Sequence, residues 1–103
     1  MSKYSTKEVW NEVYGKLEEI EDYTGRLMKK AACGDLNSAY CPTIDHVRPL
    51  SQGGEDSMRN IILCHKNTNE EKADCFPHWK ANNHRSKVIK VNEVDRIYRI
   101  VEY

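Results

Sequence analysis

Two short strand-like segments on either side of a glycine-containing loop restrict the fold of this chain more than any other feature. The first segment covers 39–47 and the second 60–64, with Pro49 and Gly53-Gly54 between them. Short runs rich in branched residues and bounded by proline and glycine favour strands. The polar stretch 66–74 that follows predicts a short helix. The sequence therefore predicts strand, loop, strand and helix as one compact ββα unit.

The regions on either side of this unit have their own patterns. Ser5-x-x-Glu8 has the form of a capping box, and apolar residues at helical spacing behind it predict a helix over about 6–14, with an extension towards Ile20 left open. Near the other end, 88–91 and 97–101 resemble strands joined by a loop at 92–95, which predicts a C-terminal β-hairpin.

The size of the chain limits its organisation. With 103 residues, of which 39% are apolar and 31% charged, we expect one domain over 1–103 with a small core. The first residues lack the apolar run of a signal peptide, and no stretch approaches a membrane span, so we expect a cytoplasmic protein. Cys33, Cys41, Cys64 and Cys75 are then expected to be reduced thiols or metal ligands.

The formal net charge is zero, which excludes a uniformly basic nucleic-acid-binding surface. The charge is nevertheless uneven. Residues 1–24 carry six acids and three bases, whereas 80–103 carry six bases and three acids. A neutral total is therefore compatible with a local basic patch for DNA, and we expect basic residues to surround the polar cluster described next.

A polar cluster falls at the ends of the predicted elements. Asp45 and His46 end the first strand, and Asn69 lies on the predicted helix. Carboxylate and amide oxygens suit Mg²⁺ or Mn²⁺, and an imidazole is a base that titrates near neutral pH. A metal ion with open positions beside such a base is suited to phosphodiester hydrolysis.

The same residues resemble the signature of the HNH endonuclease family. They are Asp45-His46-x-x-Pro49, Gly53-Gly54, Asn60-Ile61-Ile62-Leu63 and Asn69-x-x-Lys72. The pattern is similar to the Asp/His/Asn version found in the HNH domain of CRISPR effector nucleases and in phage enzymes. The core motif covers about 39–75. The resemblance implies an α+β fold with a ββα-metal (His-Me finger) core, an N-terminal helix and a C-terminal β-hairpin.

The resemblance also implies a role for each residue of the motif. His46 matches the general base, and Asp45 and Asn69 match the ligands of one divalent ion, Mg²⁺ or Mn²⁺. Asn60 matches the middle position of the catalytic motif, where we expect its side chain to bond to loop backbone. The implied reaction is hydrolysis of DNA to 5′-phosphate and 3′-hydroxyl ends. One site cuts one strand, so a double-strand break requires a homodimer, a larger nuclease complex or two encounters.

Further residues near the motif are candidates for substrate contact. Lys72 lies one helical turn after Asn69 and is either a phosphate contact or a solvated lysine. For His65 there are two interpretations. It is an additional contact to a phosphate or a metal ion, or it is an exposed or internally hydrogen-bonded histidine without a functional role. The remaining candidates for DNA-backbone contact are Arg48, Lys80, Arg85 and Lys87.

The chain departs from the family in one respect. Many small members carry two Cys-x-x-Cys pairs that hold a structural zinc, but the positions of the second pair are His65 and Thr68 here. We therefore expect no zinc ribbon and expect the terminal elements to brace the ββα unit. An irregular zinc site of the four cysteines and a noncatalytic nucleic-acid- or protein-binding module on the same scaffold are the alternatives.

Overall fold

The structure is a computed structural model that describes residues 2–92 and 97–103. Within these residues no helix is both long and apolar enough to cross a membrane. The mixture of helices and small antiparallel sheets confirms the α+β class. The predicted loop at 92–95 lies, from residue 93 onward, outside the described residues. The elements are α1 (Thr6–Tyr14), β1 (Glu19–Glu21), β2 (Leu27–Lys29), β3 (Pro42–His46), β4 (Ile61–His65), α2 (Lys66–Lys72), β5 (His78–Ala81), β6 (His84–Asn92) and β7 (Ile97–Glu102).

Helix α1 begins and ends at residues whose chemistry explains its bounds. The Ser5 hydroxyl accepts a hydrogen bond from the Glu8 N–H, and the Glu8 carboxylate accepts one from the Ser5 N–H, which is the predicted capping box. The helix ends at Tyr14 because Gly15 has a positive φ of 60°. The extension towards Ile20 is therefore not formed, and Ile20 lies in strand β1 instead.

The main core lies between α1 and the first two hairpins. Val9 and Trp10 of α1 pack with Met28 of β2 and with Ile61 and Leu63 of β4. Strands β1 and β2 pair with each other, as do β3 and β4. Because this cluster draws on three separate segments, it fixes the β3–β4 hairpin against the N-terminal third of the chain.

The loop between β3 and β4 needs both of its glycines. Gly53 has a φ of 84°, a left-handed conformation that glycine adopts without strain. A Cβ atom on Gly54 would lie 1.8 Å from the carbonyl oxygen of Arg48, so only glycine fits there. The two residues allow the chain to turn back tightly after Pro49 and return to β4.

A three-stranded antiparallel sheet, in the order β5-β6-β7, covers α2. Its inner face buries Trp79, Ala81 and Ser86. The Trp79 indole N–H donates to the Tyr23 hydroxyl at 2.9 Å, which links the sheet to the β1–β2 turn. Strand β5 was not expected, because its four residues include only two apolar side chains and follow Pro77 directly.

Asp22, in the turn between β1 and β2, is a buried carboxylate with a complete set of partners. Its Oδ1 accepts from the N–H and hydroxyl of Thr24 and from the Arg26 N–H, at 2.7–3.1 Å. Its Oδ2 accepts from the His65 N–H at 2.9 Å and from the Thr68 hydroxyl at 2.7 Å. Burial alone would raise the pKa of Asp22, but these hydrogen bonds together lower it. The carboxylate therefore ties the first hairpin to the junction of β4 and α2.

We expect Asp22→Ala to lower the free energy of unfolding by about 3 kcal/mol or more, because buried donors on two segments lose their acceptor at about 1–3 kcal/mol each. Since the pKa of Asp22 is depressed in the folded protein, its contribution is present above about pH 4 and is lost as the pH falls through the folded pKa. Urea unfolding at pH 7 and at low pH measures both effects.

The matched control is Glu21→Ala, which removes the neighbouring exposed carboxylate of strand β1. This change should alter the free energy of unfolding by less than about 0.5 kcal/mol. If the two variants unfold at the same urea concentration, Asp22 does not brace the fold.

Candidate active site

Asp45, His46 and Asn69 line one cleft of about 330 Å³. The β3–β4 register places Asp45 opposite Ile62 and His46 opposite Ile61, at the end of the hairpin. Helix α2 follows β4 without a loop and therefore folds back onto the same hairpin. The structure thus brings together three of the four residues on which the proposed chemistry depends, and Asn60 lies in the adjoining loop.

The Asn69 side chain docks α2 against β3. Its Nδ2 donates to the Thr43 hydroxyl at 3.0 Å and to the Ile44 carbonyl at 3.1 Å. A carbonyl oxygen only accepts, so the amide nitrogen must face β3. The amide oxygen is therefore not used in docking α2 to β3.

Asp45 is a buried carboxylate whose hydrogen-bonding capacity and charge are only partly satisfied by its neighbours. Its side chain forms an ion pair with Lys72, with Nζ 3.3 Å from Oδ2 and 3.5 Å from Oδ1. Oδ2 nevertheless accepts no hydrogen bond from the residues that the structure describes. Burial raises the pKa of Asp45, and the Lys72 ammonium opposes that rise. A second cation at this oxygen would supply the missing interaction.

Lys72 corrects one of our expectations. We expected it to contact a phosphate or to be solvated, but the side chain has no exposed surface. Its ammonium donates to the His46 carbonyl at 3.2 Å and lies 4.9 Å from the centre of the Trp79 ring. The three-residue spacing correctly places Lys72 on the same helix face as Asn69. That face is packed on β3 and covered by β5, so Lys72 is not a DNA contact here.

His46 has an acidic partner that the sequence did not indicate. Its Nε2 lies 2.8 Å from Oδ1 of Asp56, which is in the loop between β3 and β4. The same carboxylate accepts from the Ser2 hydroxyl and the Lys3 N–H, both at 2.7 Å. Only long-range folding brings Ser2 and Lys3 to this loop, so no local sequence signal could have identified the contact.

Asn60 braces the loop, as expected for its position. Its Oδ1 accepts from the Arg48 N–H at 2.9 Å, and its Nδ2 donates to the Arg48 carbonyl at 3.0 Å and to the Glu55 carbonyl at 2.8 Å. The buried amide is fully used by backbone partners. The amide fixes the backbone that follows His46, and none of its polar atoms is left to contact a substrate.

Both ring nitrogens of His65 form hydrogen bonds within the protein. The residue is buried, caps α2 by accepting from the Asn67 N–H at Nδ1, and donates from Nε2 to the Ala39 carbonyl at 2.6 Å. Both ring nitrogens therefore have backbone partners, and the imidazole is not available for a metal ion or a phosphate. Of the two roles considered for this residue, the structure supports the structural one.

The basic candidates lie apart from the cleft. Lys80, Arg85 and Lys87 share the outer face of the three-stranded sheet, because side chains alternate along β5 and β6 and Trp79 is on the inner face. Arg85 and Lys87 both lie over the Tyr103 ring, at 5.4 and 5.5 Å. These three residues therefore face away from the Asp45–Lys72 pair and do not surround it.

Arg48 is near the cleft, but its side chain is hydrogen-bonded within the loop between β3 and β4. Its Nε donates to the Gln52 carbonyl at 2.7 Å, and its guanidinium lies 5.8 Å from the Phe76 ring centre. Arg48 as a whole is half-buried.

The four cysteines are free thiols. Cys41 and Cys64 are buried, Cys33 is half-buried and Cys75 is exposed. Within residues 2–92 and 97–103, no group of three or more His, Cys, Asp or Glu side chains is arranged to hold a metal ion. Asp45 and Asp74 both line the cleft, and Asp45 is the buried one, whose Oδ2 accepts no hydrogen bond from the described residues.

Comparison with protein-family models gave a match over the region that contains the cleft. The family model described as HNH endonuclease matches residues 22–78, which is more than half of the chain. The match begins at Asp22 and extends to the first residue of β5. No curated protein and no solved structure matches the chain.

We expect Asn60→Ala to lower the free energy of unfolding by about 2–4 kcal/mol, since it leaves one N–H and two carbonyl groups of the loop without their partner. Thermal unfolding measured by circular dichroism checks this. The control is Asn67→Ala, which removes an exposed amide side chain on α2. Equal midpoints for the two variants would show that the Asn60 brace contributes nothing.

Proposed function

The chain belongs to the HNH endonuclease family, and from this premise we propose that it is a metal-dependent endonuclease that hydrolyses DNA phosphodiester bonds. The observation that carries the proposal is the cleft shared by Asp45, His46 and Asn69. We assign the β3–β4–α2 unit as the ββα-metal core, within about 39–75 of one domain over 1–103. Helix α1 and the pair β6–β7 are the proposed braces.

The donors in the cleft fit a hard divalent cation. Oδ2 of Asp45 accepts no hydrogen bond from the described residues, and the amide oxygen of Asn69 faces away from β3 because Nδ2 is held there. Such oxygens suit Mg²⁺ or Mn²⁺, which also keep water ligands. We propose that Asp45 and Asn69 would hold the ion. When bound, it would supply charge stabilisation at the phosphoryl and leaving oxygens.

His46 is the proposed general base. It lines the cleft next to Asp45, and its imidazole would take a proton from a water molecule. The oxygen of that water forms a bond to phosphorus as the bond from phosphorus to the 3′ oxygen breaks. The departing oxygen then takes up a proton, which gives 5′-phosphate and 3′-hydroxyl ends.

Asn60 and Lys72 take positioning roles in this proposal. The Asn60 amide fixes the loop after His46, and the Lys72 ammonium holds the Asp45 carboxylate and the His46 carbonyl together. Neither side chain would touch the reacting atoms.

We propose that DNA is also bound outside the cleft. Lys80, Arg85 and Lys87, with the Tyr103 ring beneath two of them, form a basic and aromatic face suited to the phosphate backbone of a flanking segment. Arg48, at the edge of the cleft, is the candidate contact nearest to the scissile phosphate. Because these contacts are few, affinity should be low, and because they are electrostatic, binding should weaken further as the salt concentration rises.

We expect the purified protein to convert supercoiled plasmid to nicked circles in Mn²⁺ or Mg²⁺, and we expect His46→Ala to reduce the rate about 10²- to 10⁴-fold by removing the base. Gel densitometry over time measures the rate. The matched control is His84→Ala, which removes a partly exposed imidazole paired with Glu102 on the three-stranded sheet. This variant should cleave at a rate close to that of the wild type.

A wild-type protein that nicks no better than a folded His46→Ala variant in either metal would end the endonuclease proposal. Retained, salt-dependent DNA binding in Ca²⁺ together with that result would identify a noncatalytic binding module.

We also expect Asp45→Asn to weaken Mn²⁺ binding more than about tenfold, because it removes the negative charge of the proposed carboxylate ligand. Isothermal titration calorimetry in the presence of a noncleavable DNA duplex measures the affinity. Glu70→Gln is the control, since it removes an exposed carboxylate next to Asn69 on α2. Equal Mn²⁺ affinities for Asp45→Asn and Glu70→Gln would exclude Asp45 as a ligand.

A further inference from the structure

The contact between His46 and Asp56 is not used by the proposed function. Nε2 of His46 and Oδ1 of Asp56 are 2.8 Å apart, and both side chains are largely shielded, with 13% and 23% of their surfaces exposed. A carboxylate can only accept hydrogen bonds, so the proton of this contact is carried by Nε2. The partner therefore selects one tautomer of the neutral imidazole.

The Asp56 carboxylate is itself held from outside the motif. The Lys3 N–H donates to Oδ2 and the Ser2 hydroxyl donates to Oδ1, each at 2.7 Å. The hydrogen bond from His46, followed by those from Lys3 and Ser2, holds the pKa of Asp56 below its usual range. The Asp56 carboxylate thus remains ionised. Its orientation is fixed, because both of its oxygens accept hydrogen bonds.

We propose that Asp56 is a positioning residue for His46, which fixes the Nε2–H tautomer and leaves Nδ1 as the nitrogen that removes a proton from water. This inference rests on the proposed function. It extends that function by naming the reacting atom of the base and the carboxylate that orients it. The N-terminal residues Ser2 and Lys3 belong to the same arrangement.

The proton transfer balances with this assignment. One O–H bond of water breaks and its proton passes to Nδ1, while the water oxygen bonds to phosphorus and the bond to the 3′ oxygen breaks. The imidazolium then carries protons on both nitrogens, and Nε2–H remains bonded to Asp56. The negative charge of Asp56 stabilises the imidazolium as it forms, in the manner of an acid that orients a catalytic histidine.

Two other roles for the contact make different predictions. If Asp56 only fastens the N-terminal segment, its removal should lower stability and leave the turnover of the folded protein unchanged. If it blocks the base, its removal should raise turnover. Only a positioning role lowers kcat while KM is preserved.

The kinetic test compares nicking by wild type, Asp56→Ala, Asp56→Glu and Ser2→Ala with the control Glu55→Gln, which removes the adjacent carboxylate that pairs with Arg59. We expect Asp56→Ala to lower kcat about 10- to 100-fold with KM within about twofold of wild type. Asp56→Glu should recover part of the loss, Ser2→Ala should lower kcat less, and Glu55→Gln should retain wild-type kcat. An unchanged or raised kcat in folded Asp56→Ala would overturn the proposal.

A second measurement does not depend on catalysis. Nitrogen-15 NMR of histidine-labelled protein, at a pH of about 8.5 where imidazole is neutral, should show His46 with its proton on Nε2 in wild type and a mixture of tautomers in Asp56→Ala. A wild-type His46 with its proton on Nδ1 would refute the assignment. If the wild type failed to nick DNA, the endonuclease proposal would fail, and the NMR spectrum would still decide whether Asp56 selects the tautomer.

Discussion

The buried Asp22 carboxylate fixes helix α2, and the position of α2 fixes the cleft. Through Oδ2 it binds the His65 N–H at the end of β4 and the Thr68 hydroxyl on α2, while Oδ1 binds the turn in which Asp22 itself lies. Asn69 and Lys72 are on this same helix, so a rotation of α2 would separate both from Asp45. A chain of 103 residues has little apolar surface with which to prevent such a rotation. The hydrogen-bonded carboxylate supplies the restraint that the small core does not.

The second constraint is electrostatic and concerns the pair Asp45–Lys72. The buried ammonium is stabilised by the carboxylate, by the His46 carbonyl and by the Trp79 ring. The pair has no net charge, so a divalent ion approaching Asp45 meets a carboxylate that is already partly neutralised. Such a site favours an ion that retains waters and completes its coordination with substrate phosphate oxygens. Metal binding and DNA binding are therefore expected to reinforce each other in the proposed enzyme.

The sequence predicts the local parts of this arrangement and misses the parts that depend on contacts between distant segments. The positions of Asp45-His46 and Asn69 follow from spacing, because strand ends and a helix that starts directly after a strand converge on one side of a hairpin. The bracing role of Asn60 follows from the family resemblance. The burial of Lys72 was missed because the covering strand β5 carries few apolar residues. The contact of Asp56 with His46 is not predictable from the sequence, because nothing in the loop sequence indicates that the N-terminal residues pack against this loop.

The contacts of His46 imply that the motif does not act alone. Its ring is held by Asp56, which is held by Ser2 and Lys3, some 40 residues before the base in the sequence. Its backbone carbonyl is held by Lys72, on the helix that Asp22 anchors from the other side. In the proposed enzyme, the family signature would supply the reacting groups, and the N-terminal third would help to orient them. Ser2, Lys3, Asp56 and His46 are thus parts of one polar network that joins the N-terminal segment to the motif.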